Sequence, residues 1–316
     1  MSSTEIAIGI ATWRRPEGLA RLLAGLGNLV FVKVPRPKLT VIVADNDPAG
    51  SASSVCRAGI PGGNARLGYV VEPRPGLAPV RNRLLAHVPA GAAALALVDD
   101  DEVPAPSWLD ELLDLWRRTG AGIVAGRVEP HFPEPVPAWV GRGRFFHSRP
   151  APSGAPTRRG GTCNCLIDAR IFRELGLRFD EAYAESGGED THFFWRARAA
   201  GERVVWCDEA VVTEWVPRER ATVGWLARRE YREGGTVALV ERELAPPAPV
   251  LSRAGRVLRG GGRIAQGVAR LAVSPPLGAT LTASAVEGVK LAARGAGMIA
   301  GSFGIRYREY ARRGAR

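Results

Sequence analysis

The chain has 316 residues, 46% of them apolar, and carries 43 Lys and Arg against 32 Asp and Glu. That is enough to bury a full core, and about two domains are expected from the length. No run of 18 apolar residues occurs, and the N-terminus lacks a basic segment followed by a long apolar one, so neither a membrane-spanning helix nor a signal peptide is expected. The charge is uneven. Residues 251–316 hold 12 basic side chains against Glu287 and Glu309, so the first 250 residues are almost neutral and the high isoelectric point belongs to the tail.

In chain order, residues 6–11 form a short apolar run that reads as a buried strand, and Pro16 and Glu17 open a helix through Leu23. A second strand, 39–44, stops abruptly at Asp45-Asn46-Asp47-Pro48. Strand 67–71 and helix 78–86 flank Pro73-Arg74-Pro75-Gly76. A fourth strand, 94–98, runs straight into Asp99-Asp100-Asp101-Glu102, and 107–118 has the pattern of an amphipathic helix. Strands alternating with helices predict a mostly parallel, Rossmann-like α/β sheet covered on both faces. In such sheets ligands sit beyond the carboxyl ends of the strands, which is where Thr12, Asp45 and Asp99 fall.

The seven prolines between Glu129 and Gly161 argue for a long irregular loop, a kind of segment that is often functional. A strand at 162–167, a helix from Ala169, a helix from about Glu189 to Gly201 and a strand at 203–207 follow. Pro246, Pro247 and Pro249 mark a boundary, which gives a catalytic domain at 1–246 and a basic extension at 247–316. Cys56, Cys163, Cys165 and Cys207 form no CxxC pair, so reduced thiols are expected.

No glycine-rich dinucleotide fingerprint, P-loop or nucleophile elbow is present. The acidic run is the strongest chemical feature. Adjacent carboxylates repel one another unless a cation or solvent offsets them, and Mg²⁺ or Mn²⁺ is commonly held by one or two carboxylates plus phosphate oxygens. A nucleotide diphosphate supplies such phosphates. The second acidic pair, Glu189-Asp190 after Gly187-Gly188, suits either helix-start chemistry or a base that takes a hydroxyl proton.

Taken together, Ile8 to Pro16, Val43 to Asp47, Gly76 to Asn82, Val98 to Glu102 and Gly188-Glu189-Asp190 resemble the family 2 glycosyltransferases of the GT-A fold. Arg144-Phe145-Phe146 and Glu214 to Arg220 are similar to the succinoglycan-type exopolysaccharide glucosyltransferases of that family. The resemblance implies an inverting transfer of a hexose, glucose or another, from a nucleotide-diphosphate sugar such as a UDP-sugar. The acceptor would be a hydroxyl of a glycan or lipid-linked acceptor, and a divalent Mn or Mg would be the cofactor. Carried over by residue, Asp190 is the catalytic base. Asp101 and Asp99 bind metal, and Glu214 stands where many relatives have a metal-binding histidine. Thr12, Asp45, Arg81, Asp99, Asp100 and Arg220 bind the donor. Asn164 and Glu189 lie by the acceptor or sugar.

The arginines at 253, 256, 259, 263 and 270, spaced among apolar residues, and the stretch 283–299 read as helices of the extension. They suit either an anionic membrane surface or packing on the catalytic domain. A cytoplasmic enzyme, peripheral on the inner face of the cell membrane, is the resulting expectation. No aromatic platform accompanies the charge, so nucleic acid is not an expected partner. A nucleotidyltransferase and an inactive membrane-associated scaffold are the alternatives.

Overall fold

The computed structural model describes residues 4–158, 160–244, 252–274, 282–307 and 309. They form two compact units. One comprises the described residues up to Pro130 together with Ser148–Trp215; the other comprises those of His131–His147 and Val216–Glu309. The expected division at 246/247 lies outside the described residues.

The first unit holds an eight-stranded sheet. β1 (Glu5–Thr12), β2 (Lys38–Asp45), β3 (Arg66–Val71) and β4 (Ala92–Asp99) are joined by α1 (Pro16–Gly27), α2 (Ser53–Ala58) and α3 (Leu77–His87). β5 (Glu102–Pro104), α4 (Trp108–Thr119), β6 (Ile123–His131), β7 (Asn164–Asp168), α6 (Ala169–Arg173), α7 (Glu189–Ala199) and β8 (Val204–Trp215) complete it; α5 (Ala138–Gly143) lies in the second unit. The strand order is β3-β2-β1-β4-β7-β6-β8-β5. β1 pairs parallel with β2 and β4, and β2 with β3, whereas β7 is antiparallel to β4 and β6, and β5 to β8. The parallel half was expected from the strand–helix alternation. β5 and β6 were not foreseen, and β8 runs eight residues beyond the predicted strand.

Both faces of the sheet are apolar and covered. Ile6, Ile8 and Ile10 of β1 pack with Leu19, Leu22 and Leu23 of α1, while Leu95 and Leu97 of β4 pack with Phe193 and Phe194 of α7. Alternate residues along these strands point to opposite faces, so a strand buried on both sides reads as a continuous apolar run. Asp110 is an exception. Its buried carboxylate accepts backbone N–H bonds from Val32, Lys33 and Val34 at 2.9, 2.9 and 3.0 Å, and so ties the α1–β2 connection to α4.

One step of topology matters for the site. β4 and β5 are four places apart in the sheet, yet Glu102 comes only three positions after Asp99. Four strand spacings amount to about 19 Å in a flat sheet, and three residues reach only about 11 Å. The sheet therefore curls, and the aspartate run closes the curl.

The second unit is helical. α8 (Val223–Leu244), α9 (Arg253–Ala272) and α10 (Ala283–Ser302) pack together, with Gly234 of α8 and Gly297 of α10 allowing backbone-to-backbone approach. The two tail helices are as expected, and α8 adds a third. The prolines of 129–161 do not keep that whole segment irregular. Pro137 immediately precedes α5 as its N-cap, where it breaks no helical hydrogen bond, and Trp139, Val140 and Phe146 bury against Val216, Leu226 and Val286. Burial of these aromatic and branched side chains outweighs the local proline signal. Among the described residues no helix is long and apolar enough to cross a membrane.

Candidate active site

The parallel register builds the site. Thr12 stands opposite Asp45, and Ala11 opposite Asp99, so three strands end on one line. Beyond that line the Thr12 hydroxyl donates to Asp100 Oδ2 at 2.8 Å, and Arg15 Nη1 donates to both Asp100 Oδ1 and Asp101 Oδ2 at 2.9 Å. Burial works against the Arg15 charge, but Asp100 and Asp101 outweigh it and raise its pKa. Gly18, in the first turn of α1, permits the close approach of the Asp100 carbonyl. Arg14 has φ 54° and pairs with Asp47 at 3.0 Å, so only Arg15 of the arginine pair touches the acidic run.

Asp99 lies between α3 and α7. Buried Arg81 approaches Asp99 Oδ1 at 3.6 Å through Nη2 and pairs through Nη1 with buried Glu189, whose Oε2 finds no hydrogen-bond partner among the described residues. Desolvation, opposed by Arg81, together with repulsion from Asp101, Asp100 and Asp190, pushes Asp99 up to about 6. About a third of its side chain remains open to solvent, so it can be reached from outside. Glu102 is almost fully buried, accepts the Asp99 N–H at 3.0 Å and pairs in register with Glu214. Burial first, then Asp99 and Asp101, hold Glu102 well above the usual carboxylate range.

Asp190 is the second residue of α7. Its Oδ1 accepts from the Thr191 N–H at 2.6 Å, while Oδ2 is directed towards Gly161, where a Cβ would sit 3.0 Å from it. The Cys163 thiol is raised by burial and then by the charges of Glu102, Asp99, Asp190 and Glu214. The start of β7, two residues short of the expected strand, links the two acidic groups: Gly161 lies beside Asp190, and Asn164 is in register with Val98, next to Asp99. Asp99, Asp101, Asp190, Arg81, Glu189 and Glu214 come together in this unit.

Two of the expected residues are enclosed by the fold, and a third belongs to the other unit. Asp45 is fully buried, and its carboxylate accepts from Asp47 N–H, Ala52 N–H and Tyr69 hydroxyl at 2.9, 2.8 and 3.0 Å. It shapes the loop after β2 instead of presenting an open acceptor. Asn164, expected beside the sugar, is equally enclosed: it accepts from Trp108 Nε1 at 2.7 Å and donates to the Arg127 and Ala210 carbonyls at 2.9 and 2.8 Å. Its amide bridges α4, β6 and β8, a scaffold role. Asn164→Ala leaves those groups unpaired and is expected to cost about 3 kcal/mol of stability, readable as a lower urea midpoint in Trp fluorescence; an unchanged midpoint would contradict this role. Arg220 belongs to the helical unit, in the turn Arg218–Arg220, with its guanidinium 5.9 Å from the Trp225 ring.

The residues not singled out from sequence are Arg15, Glu102 and Trp13. Trp13 is 48% exposed beside the acidic run, and its N–H reaches Asp100 Oδ2 at 3.4 Å. An exposed tryptophan directly after a buried strand was the available signal. All four cysteines are free.

A curled α/β sheet with an acidic run at its central strand end defines the GT-A glycosyltransferase fold. Residues 7–176 match the family model described as glycosyl transferase family 2, and the chain belongs to that family. It is 38% identical over 232 residues, 73% of each chain, to the succinoglycan biosynthesis protein ExoM of Rhizobium meliloti (strain 1021). Among solved structures it is similar to the mannosyltransferase PcManGT from Pyrobaculum calidifontis in complex with GDP-Man and Mn²⁺, with 18% identity and a TM-score of 0.61 over 93% of this chain and 86% of that one. S. aureus TarS 1–349 in complex with UDP-GlcNAc is similar at 12% identity and a TM-score of 0.56, over 80% and 71%. At those identities the likeness concerns the fold. Family membership makes the protein a glycosyltransferase and sets aside the nucleotidyltransferase alternative.

Proposed function

We propose that the enzyme transfers a hexose with inversion from a nucleotide-diphosphate sugar, a UDP-sugar in the first instance, to a hydroxyl of a glycan or lipid-linked acceptor. The observation that carries this is the convergence of Asp99 and Asp101 with Asp190 at the carboxyl ends of the parallel strands. Asp190, with Oδ2 clear of the helix-start bond, takes the acceptor proton as its oxygen attacks the sugar. Arg81 and Glu189 hold Asp99 in place, and Thr12 with Asp100 forms the donor side.

The residues present fit a divalent cation. No group of three or more His, Cys, Asp or Glu among the described residues forms a ready-made cage, but an Mg²⁺ or Mn²⁺ site of this type needs only one or two carboxylates because substrate phosphates complete it. Burial, and after it the repulsion from Asp101, Asp100 and Asp190, raises Asp99, and a bound cation would offset both. Asp101 and Asp99 would hold it, with Glu214 the additional side chain within the cluster. When bound it supplies neutralisation of charge on the departing diphosphate. ExoM is a succinoglycan biosynthesis protein, and the similar solved structures contain UDP-GlcNAc or GDP-Man with Mn²⁺; these support a nucleotide-sugar donor and an exopolysaccharide product. Functionally, we divide the chain into a catalytic part, 1–246, and an extension, 247–316, that meets the anionic inner face of the membrane.

The test is a panel of nucleotide sugars with Mn²⁺ or Mg²⁺, read as donor hydrolysis or transfer. Turnover of one donor class is expected. Absence of turnover with every donor, in protein that is folded and metal-loaded, would reject the proposal.

A further inference from the structure

α9 has three distinct sides. One packs on α10, where Gly260 faces the Gly295 carbonyl and Gly267 faces the Gly288 carbonyl. A second carries arginines, of which Arg259 pairs with Glu241 of α8 and Arg256 is buried. At 100° per residue, the remaining arc contains Ala254, Leu258, Ala265, Val268 and Ala269 and continues to Val273 at the helix end. Every one of these is exposed, with Leu258 at 75%, Val268 at 56% and Val273 at 80%. Gly261 and Gly262 lie on the same arc, and a Cβ added to either would meet nothing within 4 Å among the described residues. No charged or polar side chain interrupts the arc, an arrangement opposite to that of an ordinary surface helix.

We propose that this outer arc of α9 is the membrane-contacting element, seated in the headgroup region of an anionic phospholipid bilayer; this rests on the reading of the tail given above. Charge complementarity selects the occupant. Of the five arginines of α9, Arg256 is buried and Arg259 is paired with Glu241, while Arg253 and Arg270 are exposed, and the helix has no acidic residue. Arg253 and Arg270 stand at its two ends, and Arg253 also lies 5.7 Å from the ring of Phe303, which is itself exposed. A lipid surface offers apolar chains to the arc and phosphates to the long side chains of Arg253 and Arg270, which border it on either side. A second copy of the same face would bring two sets of arginines together with no acid between them. Small residues dominate the arc, so insertion is shallow and depends on the flanking charge.

The experiment uses the full chain and co-sedimentation with phosphatidylcholine vesicles, with or without phosphatidylglycerol. Wild-type protein is expected to bind only the anionic vesicles and to be released by salt. Leu258→Asp with Val268→Asp should weaken binding about tenfold or more while donor hydrolysis is kept. Gly261→Leu with Gly262→Leu fills open space and should strengthen binding several-fold, with a part that survives high salt. If the double aspartate variant binds anionic vesicles as well as wild type, the arc is excluded and the reading of the tail stands. If wild type ignores anionic vesicles, both are excluded. A wild-type dimer that the aspartates convert to monomer, without vesicle binding, would assign the arc to a second copy and overturn the proposal.

Discussion

Asp101→Ala is expected to reduce donor turnover to background, and chelation of wild-type protein with EDTA should do the same. Asp101 is well placed for this role. It is less buried than Asp100, it reaches the site from the turn that closes the curled sheet, and in the structure its charge is met by Arg15 at 2.9 Å. Arg15 alone is insufficient for a bound diphosphate, because it is already divided between Asp100 and Asp101 and a single guanidinium charge faces the whole run. Removing Asp101 takes away a ligand and leaves Arg15 on Asp100, so restored metal at high concentration should recover little. The same site has an acid limb. Metal competes with protons for its ligands, and Asp99 binds its proton at about 6. Metal affinity should therefore fall as pH drops through that value and be fully present above it. Calorimetric titration of Mn²⁺ with donor across pH reads this directly. Full turnover in EDTA would remove the cation from the proposed mechanism.

Asp190→Asn should lower the transfer rate by on the order of 10²-fold or more while donor affinity is kept. The substitution is conservative in structure: an asparagine Oδ1 retains the 2.6 Å bond from the Thr191 N–H that fixes the side chain in the first turn of α7. What it loses is the proton acceptor at Oδ2, beside Gly161. A loss in kcat with an unchanged donor KM separates this role from a general disturbance of α7, which would move both. A variant with near-normal transfer would return Asp190 to an ordinary acidic residue at a helix start, where it favours the helix dipole.

The sequence by itself determined the parallel half of the sheet and where its ligand would sit. Apolar runs at β1, β2 and β4 must be buried on both faces, and their abrupt endings at Thr12, Asp45 and Asp99 locate the polar edge without any knowledge of packing. The motif order also identified the family. Tertiary structure decided everything that depends on contacts between residues far apart in the chain. That Asp45 and Asn164 are spent on internal hydrogen bonds cannot be read from their types, because a buried amide and a substrate-binding amide look alike until their partners are placed. The same holds for Arg15, whose partners lie 85 and 86 residues away, and for the Arg81–Glu189 pair, which joins α3 to α7. The proline-rich segment shows the limit from the other side: local propensity argued for irregularity, but Trp139, Val140 and Phe146 had distant apolar partners in the helical unit. On α9 the order of residues already contained the apolar arc. Only the packing of α9 against α10 and α8 revealed which side remains uncovered, because a helix with glycines and apolar residues on two sides can bury either one.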